Sequence, residues 1–184
     1  MAKSAVFGIN EVTLANPVVG SFPTDFSAEG SFSFKAIVKD SVKFTDEAAS
    51  DNDIEVEETD NLYAQLVSSV AKKGLEIDTY DLSEEAYIAL QGFTKASDYE
   101  TTGWIEEPTK IQELTKAVQI VTRAIEEFPS KTFQWAKMKI KVTKAGTIGK
   151  SGFPNFHLVL TQLANFDVSG KEVTGHRWKL TKRE

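Results

Sequence analysis

Apolar residues in this chain recur at every second position over long stretches, the period of a half-buried β-strand. Phe32, Phe34, Ala36 and Val38 share one face of 31–39, and Val42 and Phe44 continue the pattern. Around 133–142 the apolar set opens at Phe133 and Trp135, then moves to Ala136, Met138, Ile140 and Val142. A slip of one residue turns every later side chain to the other face, so a β-bulge is predicted near Trp135 and Ala136. Phe156, Leu158 and Leu160 mark another strand, His176, Trp178 and Leu180 a last one, and Leu75, Ile77 and Thr79 share one side of 74–81. The expected fold is mainly β, a sandwich or barrel of two packed antiparallel sheets. A chain of 184 residues is most simply one domain, with length enough to bury a real core. Its expected body spans 26–184, with an N-terminal arm over 1–25 and an extended acidic loop over 45–60. The arm holds a β-like piece, 8–14, suited to an edge strand or to pairing with a neighbour's sheet.

One short flanking helix is signalled at about 83–91. Ser83 can cap it, Glu84 and Glu85 occupy its first turn, and Gly92 fits the position after its end. Ala86, Tyr87 and Leu90 give it apolar surface, and Ile88 adds a little. Residues 111–125 are ambiguous. Ile111, Leu114, Val118, Val121 and Ile125 have helical spacing, yet Val118, Ile120, Thr122 and Ala124 alternate in a β-rich run. Residues 60–73 carry the same ambiguity. Asn16-Pro17, Phe22-Pro23, Phe128-Pro129 and the stretch 146–154 punctuate the strands.

Charge is divided unevenly along the chain. Residues 46–60 hold eight acids (Asp46, Glu47, Asp51, Asp53, Glu55, Glu57, Glu58 and Asp60), and no Lys or Arg lies between Lys43 and Lys72. Residues 130–184 carry 11 basic and 3 acidic side chains, whereas 1–129 carry 10 basic and 24 acidic ones. Lys137, Lys139 and Lys141 line the strand face opposite Met138 and Ile140. A solvated loop and an ordinary basic strand surface would give the same counts. Unlike charges on two parts of one chain also suit a subunit that meets copies of itself through different surfaces, which builds rings or filaments. Asp46, Glu47, Asp51, Asp53, Glu55, Glu57 and Glu58 on one side, and Lys137, Lys139 and Lys141 on the other, are the candidate interface residues.

Catalytic and cofactor motifs do not survive inspection, and neither an enzyme nor a bound cofactor or metal is expected. Gly146-Thr147-Ile148-Gly149-Lys150-Ser151 resembles a phosphate loop, but Lys144 stands where its first glycine belongs and Gly152-Phe153-Pro154 replaces the helix that must follow. A turn between strands is the better reading. Asp51-Asn52-Asp53 opens like a calcium loop, yet Val56 and Leu62 occupy the positions that need Gly and Glu. Only His157 and His176 are available as imidazoles, with no Gly-x-Ser-x-Gly elbow beside them. With no cysteine, disulfides and thiolate chemistry are excluded. The lysine row could meet phosphates and Trp135 could stack on bases, but a pI near 5.1 argues against a dedicated nucleic-acid binder. No apolar run approaches the ~20 residues of a membrane span, so no membrane partner is expected. Nor does Met1-Ala2-Lys3-Ser4 open a signal peptide, and cytoplasmic synthesis is expected.

The order of elements across most of 30–165 resembles the major tail proteins of long-tailed bacteriophages, the subunits of the tail tube. A strand pair leads into an acidic extended segment, from Lys39-Asp40-Ser41-Val42-Lys43-Phe44 to Ile54-Glu55-Val56-Glu57-Glu58-Thr59-Asp60. A glycine-started strand and short helix follow, from Gly74-Leu75-Glu76-Ile77 through Ser83 to Gly92, and then a loop, Gly103-Trp104-Ile105-Glu106-Glu107-Pro108. A β-rich run, Lys116-Ala117-Val118-Gln119-Ile120-Val121-Thr122, precedes a hairpin of long strands. The likeness ends at the N-terminal arm and after about Leu163. It implies a β-sandwich or barrel with one flanking helix, whose copies form stacked hexameric rings around a DNA channel. It also resolves 111–125, and leans 62–72, toward strand. Implied partners are further copies of the chain, other tail proteins, and DNA that slides past an acidic wall without specific binding. The implied location is the virion tail, after synthesis in the host cytoplasm. The alternative is a monomeric β-sandwich module that binds a ligand or carbohydrate through exposed aromatics such as Trp104 and Tyr99.

Overall fold

The computed structural model describes residues 7–34, 36–54, 64–69, 71–110, 113–125, 128–150 and 152–180. The first half of the chain forms β1 (Phe7–Ala15), β2 (Phe32–Phe34), β3 (Lys43–Phe44), β4 (Ser50–Ile54), β5 (Ala64–Ser69), β6 (Gly74–Thr79) and helix α1 (Glu84–Gln91). Then come β7 (Thr94–Lys95), the one-turn α2 (Tyr99–Thr102), β8 (Ile105–Glu106) and three long strands, β9 (Leu114–Arg123), β10 (Lys131–Ala145) and β11 (Asn155–Gln162). Short β12 (Asn165–Phe166) and β13 (Glu172–Val173) precede β14 (His176–Leu180). The protein is mainly β and its pairings are antiparallel, as the alternation predicts.

The principal sheet runs β2-β1-β9-β10-β11-β6-β3, with β14 also on β10. It closes on itself. After β2 leaves β1, its continuation pairs with β6 through an Ile37–Thr79 bridge. Val38 N–H donates to Asp78 O at 2.9 Å, and Tyr80 N–H to Ala36 O at 2.8 Å. A closed ring of strands removes the free edges that would otherwise invite pairing. Its two halves face one another across a single core, so sandwich and barrel are two descriptions of one arrangement. Phe34, Leu75, Ile77, Val118, Met138, Phe156, Leu158 and Leu160 meet there, each fully buried. Removing one of the larger of these, for example by Leu158→Ala, costs about 2–5 kcal/mol.

The predicted bulge is present. Trp135 pairs with Val118 and Met138 with Lys116, so three steps on β10 match two on β9. Trp135 and Ala136 are consequently both buried. The bulge is also where β10 changes its second neighbour, from β14 on one side of it to β11 on the other. Helix α1 follows its sequence signals. Ser83 Oγ accepts from Ala86 N–H at 3.2 Å. Gly92 is left-handed at φ 73°, and its N–H closes onto Ile88 O. Ala86 and Leu90 enter the core, and the Tyr87 ring meets Phe156 edge-on at 5.0 Å.

Three expectations change. Residues 8–14 are not a free arm, because β1 pairs with β9 along its length, and over 12–14 with β2 on its other side as well. Its alternating Val12 and Leu14 give it a buried face, and the following segment folds back so that Phe26 covers Ala15 and Ala117 outside the barrel. The apolar face of 31–39 does not run straight through. Ile37 joins the core whereas Ala36 is exposed, because the chain exchanges partner from β1 to β6 there. The acidic segment is a strand over 50–54 and not an extended loop, since β4 pairs with β5. Strand is also what the structure shows for 114–123 and 64–69, as the family likeness implied.

Candidate assembly surfaces

The acidic segment is carried on a two-stranded ribbon that grows out of the barrel. Where β3 and β6 pair, Thr45 N–H donates to Gly74 O at 3.0 Å. Glu47 and Lys72 then exchange both backbone hydrogen bonds, at 2.8 and 3.0 Å. The ribbon continues as β4 and β5, out to Ile54 opposite Ala64. Ten residues beyond Phe44 at the usual strand rise make it roughly 33 Å long. A lone two-stranded ribbon is marginal in water. Asp46 accepts from Gly74 N–H at 3.3 Å, and Glu47 forms an exposed ion pair with Lys72 at 3.4 Å. Such a pair contributes at most about 1 kcal/mol. Asp51 and Asp53 lie on β4, opposite Val67 and Gln65. Glu55, Glu57 and Glu58 lie outside the described residues.

Aromatic packing fixes the ribbon's root, a feature that sequence reasoning missed. Phe44 is 62% exposed, yet its ring lies 6.3 Å from Phe133 and 6.4 Å from Trp135. Trp135 in turn stacks on His176 at 4.6 Å, with the planes 15° apart. Burial lowers the His176 pKa below its ordinary value; Lys73 acts in the same direction and Asp46 opposes it. The buried His176 Nε2 has no hydrogen-bond partner among the described residues. Alternation at 176–180 signalled the strand, but nothing local signalled that its histidine would meet the ribbon.

Lys137, Lys139 and Lys141 share the outer face of β10 beyond the bulge. This row is less basic than its sequence suggests. Lys139 is paired with Glu113, whose carboxyl it holds below the usual range, with Lys141 adding to the effect. The row at Lys141 continues through Val159 to Glu76 and Lys43, so signs alternate across the sheet. Lys144 reaches Glu107 at 3.4 Å. These acids come from distant parts of the chain, so only the folded structure brings them to the lysines.

The remaining candidates take the following positions. His157 Nδ1 lies 2.7 Å from Asp78 Oδ1 on neighbouring strands, an ordinary outer-face pair. The glycine-rich stretch is the turn between β10 and β11. At Gly146 (φ 84°) a Cβ would stand 2.5 Å from Phe153 O. Tyr99 is engaged by its own chain, donating to Glu84 at 2.6 Å under the Lys95 ammonium, while Trp104 projects 69% exposed. Among the described residues no group of three or more metal-ligating side chains comes together, and no helix is long and apolar enough to cross a membrane. A scan against protein-family models and a search of curated proteins both find no match to this chain.

Proposed function

We propose that this chain is the structural subunit of a phage tail tube, or of a related contractile injection tube. Copies assemble as stacked hexameric rings around a channel for DNA, within the virion tail. The observation that carries this reading is the acidic ribbon, rooted in the barrel by aromatic packing and extending roughly 33 Å beyond it. A closed barrel needs no such extension for its own stability. An extension of one sign therefore serves contact with another molecule, and complementary charge sets partner and register. The net positive C-terminal third offers the partner surface on a further copy. The acidic balance of the whole chain, −6, lets DNA pass without adhering.

The combined change Glu55→Lys, Glu57→Lys and Glu58→Lys tests the proposal by light scattering between low and high salt. Wild-type assemblies are expected to shrink as salt rises, since exposed charges are screened beyond ~10 Å at 0.1 M. The triple variant is expected to stack poorly while its Tm stays within about 3 °C of wild type, a cost below ~1 kcal/mol. Assembly indifferent to both charge reversal and salt would contradict it. A second reading, a monomeric ligand-binding module, is favoured by one feature alone, a polar groove on the outside of the barrel.

A further inference from the structure

The outer face of the sheet carries one row of polar side chains across five strands, neutral on four of them and ending in Arg177 on the fifth. Ser33 of β2 faces Thr13 of β1, Thr13 faces Gln119 of β9, Gln119 faces Gln134 of β10, and Gln134 faces Arg177 of β14. The row is linked in two segments, Ser33 with Thr13 and Gln119 through Gln134 to Arg177. The Thr13 and Ser33 hydroxyls are 2.9 Å apart. Gln134 Nε2 donates to Gln119 Oε1 at 2.7 Å, and Arg177 Nε donates to Gln134 Oε1 at 2.8 Å. At a strand spacing of about 4.8 Å the row is about 19 Å long. Two cavities lie over it, of about 520 and 390 Å³, and they share Thr24, Gln134 and Lys179 in their linings. Segment 24–27 walls one side. The buried Oγ of Ser31, a residue of the larger cavity's lining, has no hydrogen-bond partner among the described residues.

A solvated sheet face needs neither linked amides nor an overhanging wall. Linked amides have fixed orientations, and each Gln keeps amide hydrogens beyond those used in the row. Glu11 and Asp25 are balanced by Arg177 and Lys179 around the groove, so an anionic or cationic ligand gains little from it. The polar lining disfavours an apolar ligand. An extended peptide adds to strand edges, whereas strand faces form this floor.

We propose that this groove binds a neutral oligosaccharide, whose hydroxyls exchange hydrogen bonds with Thr13, Ser33, Gln119 and Gln134. The site belongs to one copy of the chain and stands whether or not the tube assembles. Saturation-transfer difference NMR on the full chain, in whatever assembly it forms, tests the idea with maltotriose, cellotriose and N-acetyllactosamine. Transfer to at least one of them is expected. Gln134→Leu is expected to reduce it about fivefold, the worth of about one hydrogen bond, and Ser33→Ala to reduce it measurably. Lys171→Ala, outside the groove, should leave it unchanged. Ser33 is exposed, so its variant carries the test even if Gln134→Leu misfolds. No transfer from any of the three sugars, or equal transfer to wild type and to the folded groove variants, would overturn the proposal.

Discussion

Gly74 sits where the ribbon leaves the barrel, and the sheet closes tightly around it. A Cβ there would lie 2.7 Å from both Leu160 O and Thr45 Oγ1. The carbonyl is fixed in the β11–β6 ladder and has no room to yield. Gly74→Ala should therefore cost about 2 kcal/mol by urea unfolding, against within about 0.5 kcal/mol for Gly149→Ala, where nothing lies within 4 Å. His176 gives a pH signature. Its folded pKa is lowered, so below the ordinary value of 6.5 the unfolded chain binds more protons than the folded one. Stability is thus present above that value and lost as pH falls below it. The Tm difference between pH 7.5 and 5.5 should be smaller in His176→Phe, which keeps the stack on Trp135. An unchanged difference would assign the acid sensitivity to other groups. A residue-scale fact of the same kind governs the step between Ile37 and Lys43. Asp40 is left-handed at φ 61°, and the buried Ser41 hydroxyl accepts from Asp78 N–H at 3.1 Å, supplying the ladder bond the irregular chain cannot.

The ribbon is the element on which the proposed function turns, and the Glu47–Lys72 bridge marks where it can be cut. Replacing 48–71 with an Asn-Gly turn keeps β3, β6 and their aromatic contacts. Such a variant should fold with a Tm within about 4 °C of wild type, yet form no higher assembly. A collapsed fold would show instead that the ribbon belongs to the core. Sequence and structure diverge most at this element, for a physical reason. Strands announce themselves by an apolar face, and Asp51, Asn52 and Asp53 offer none, so β4 reads as loop until β5 is beside it. At 114–123 the opposite problem arises. Leu114 and Val118 fit helix and strand alike, and it is pairing with β1 and β10 that decides. Where one face is wholly buried, as in β10 and β11, alternation was sufficient, bulge included. The polar row at Thr13, Gln119 and Gln134 was invisible for another reason, since its members are far apart in sequence and none stands out alone.

At the scale of the whole molecule, a barrel with closed strands has little need of neighbours, while an acidic ribbon and a net basic C-terminal third have good reason to meet in different copies. Exposed apolar side chains stand at separate places, with Ile148, Phe153 and Tyr80 around the β10–β11 turn and Val18, Val19, Phe166 and Val168 around the buried Asn165. Heterologous contact between unlike surfaces yields closed rings when the rotation closes and open filaments when it does not. The most direct measurement is negative-stain electron microscopy of the concentrated protein, beside size-exclusion chromatography with light scattering, for wild type and for the chain with 48–71 excised. The tube reading is supported by rings or tubes with an axial hole in the wild type and their loss on excision. It is contradicted by a wild type that stays monomeric at every concentration and salt, or by tubes that form equally well without the ribbon.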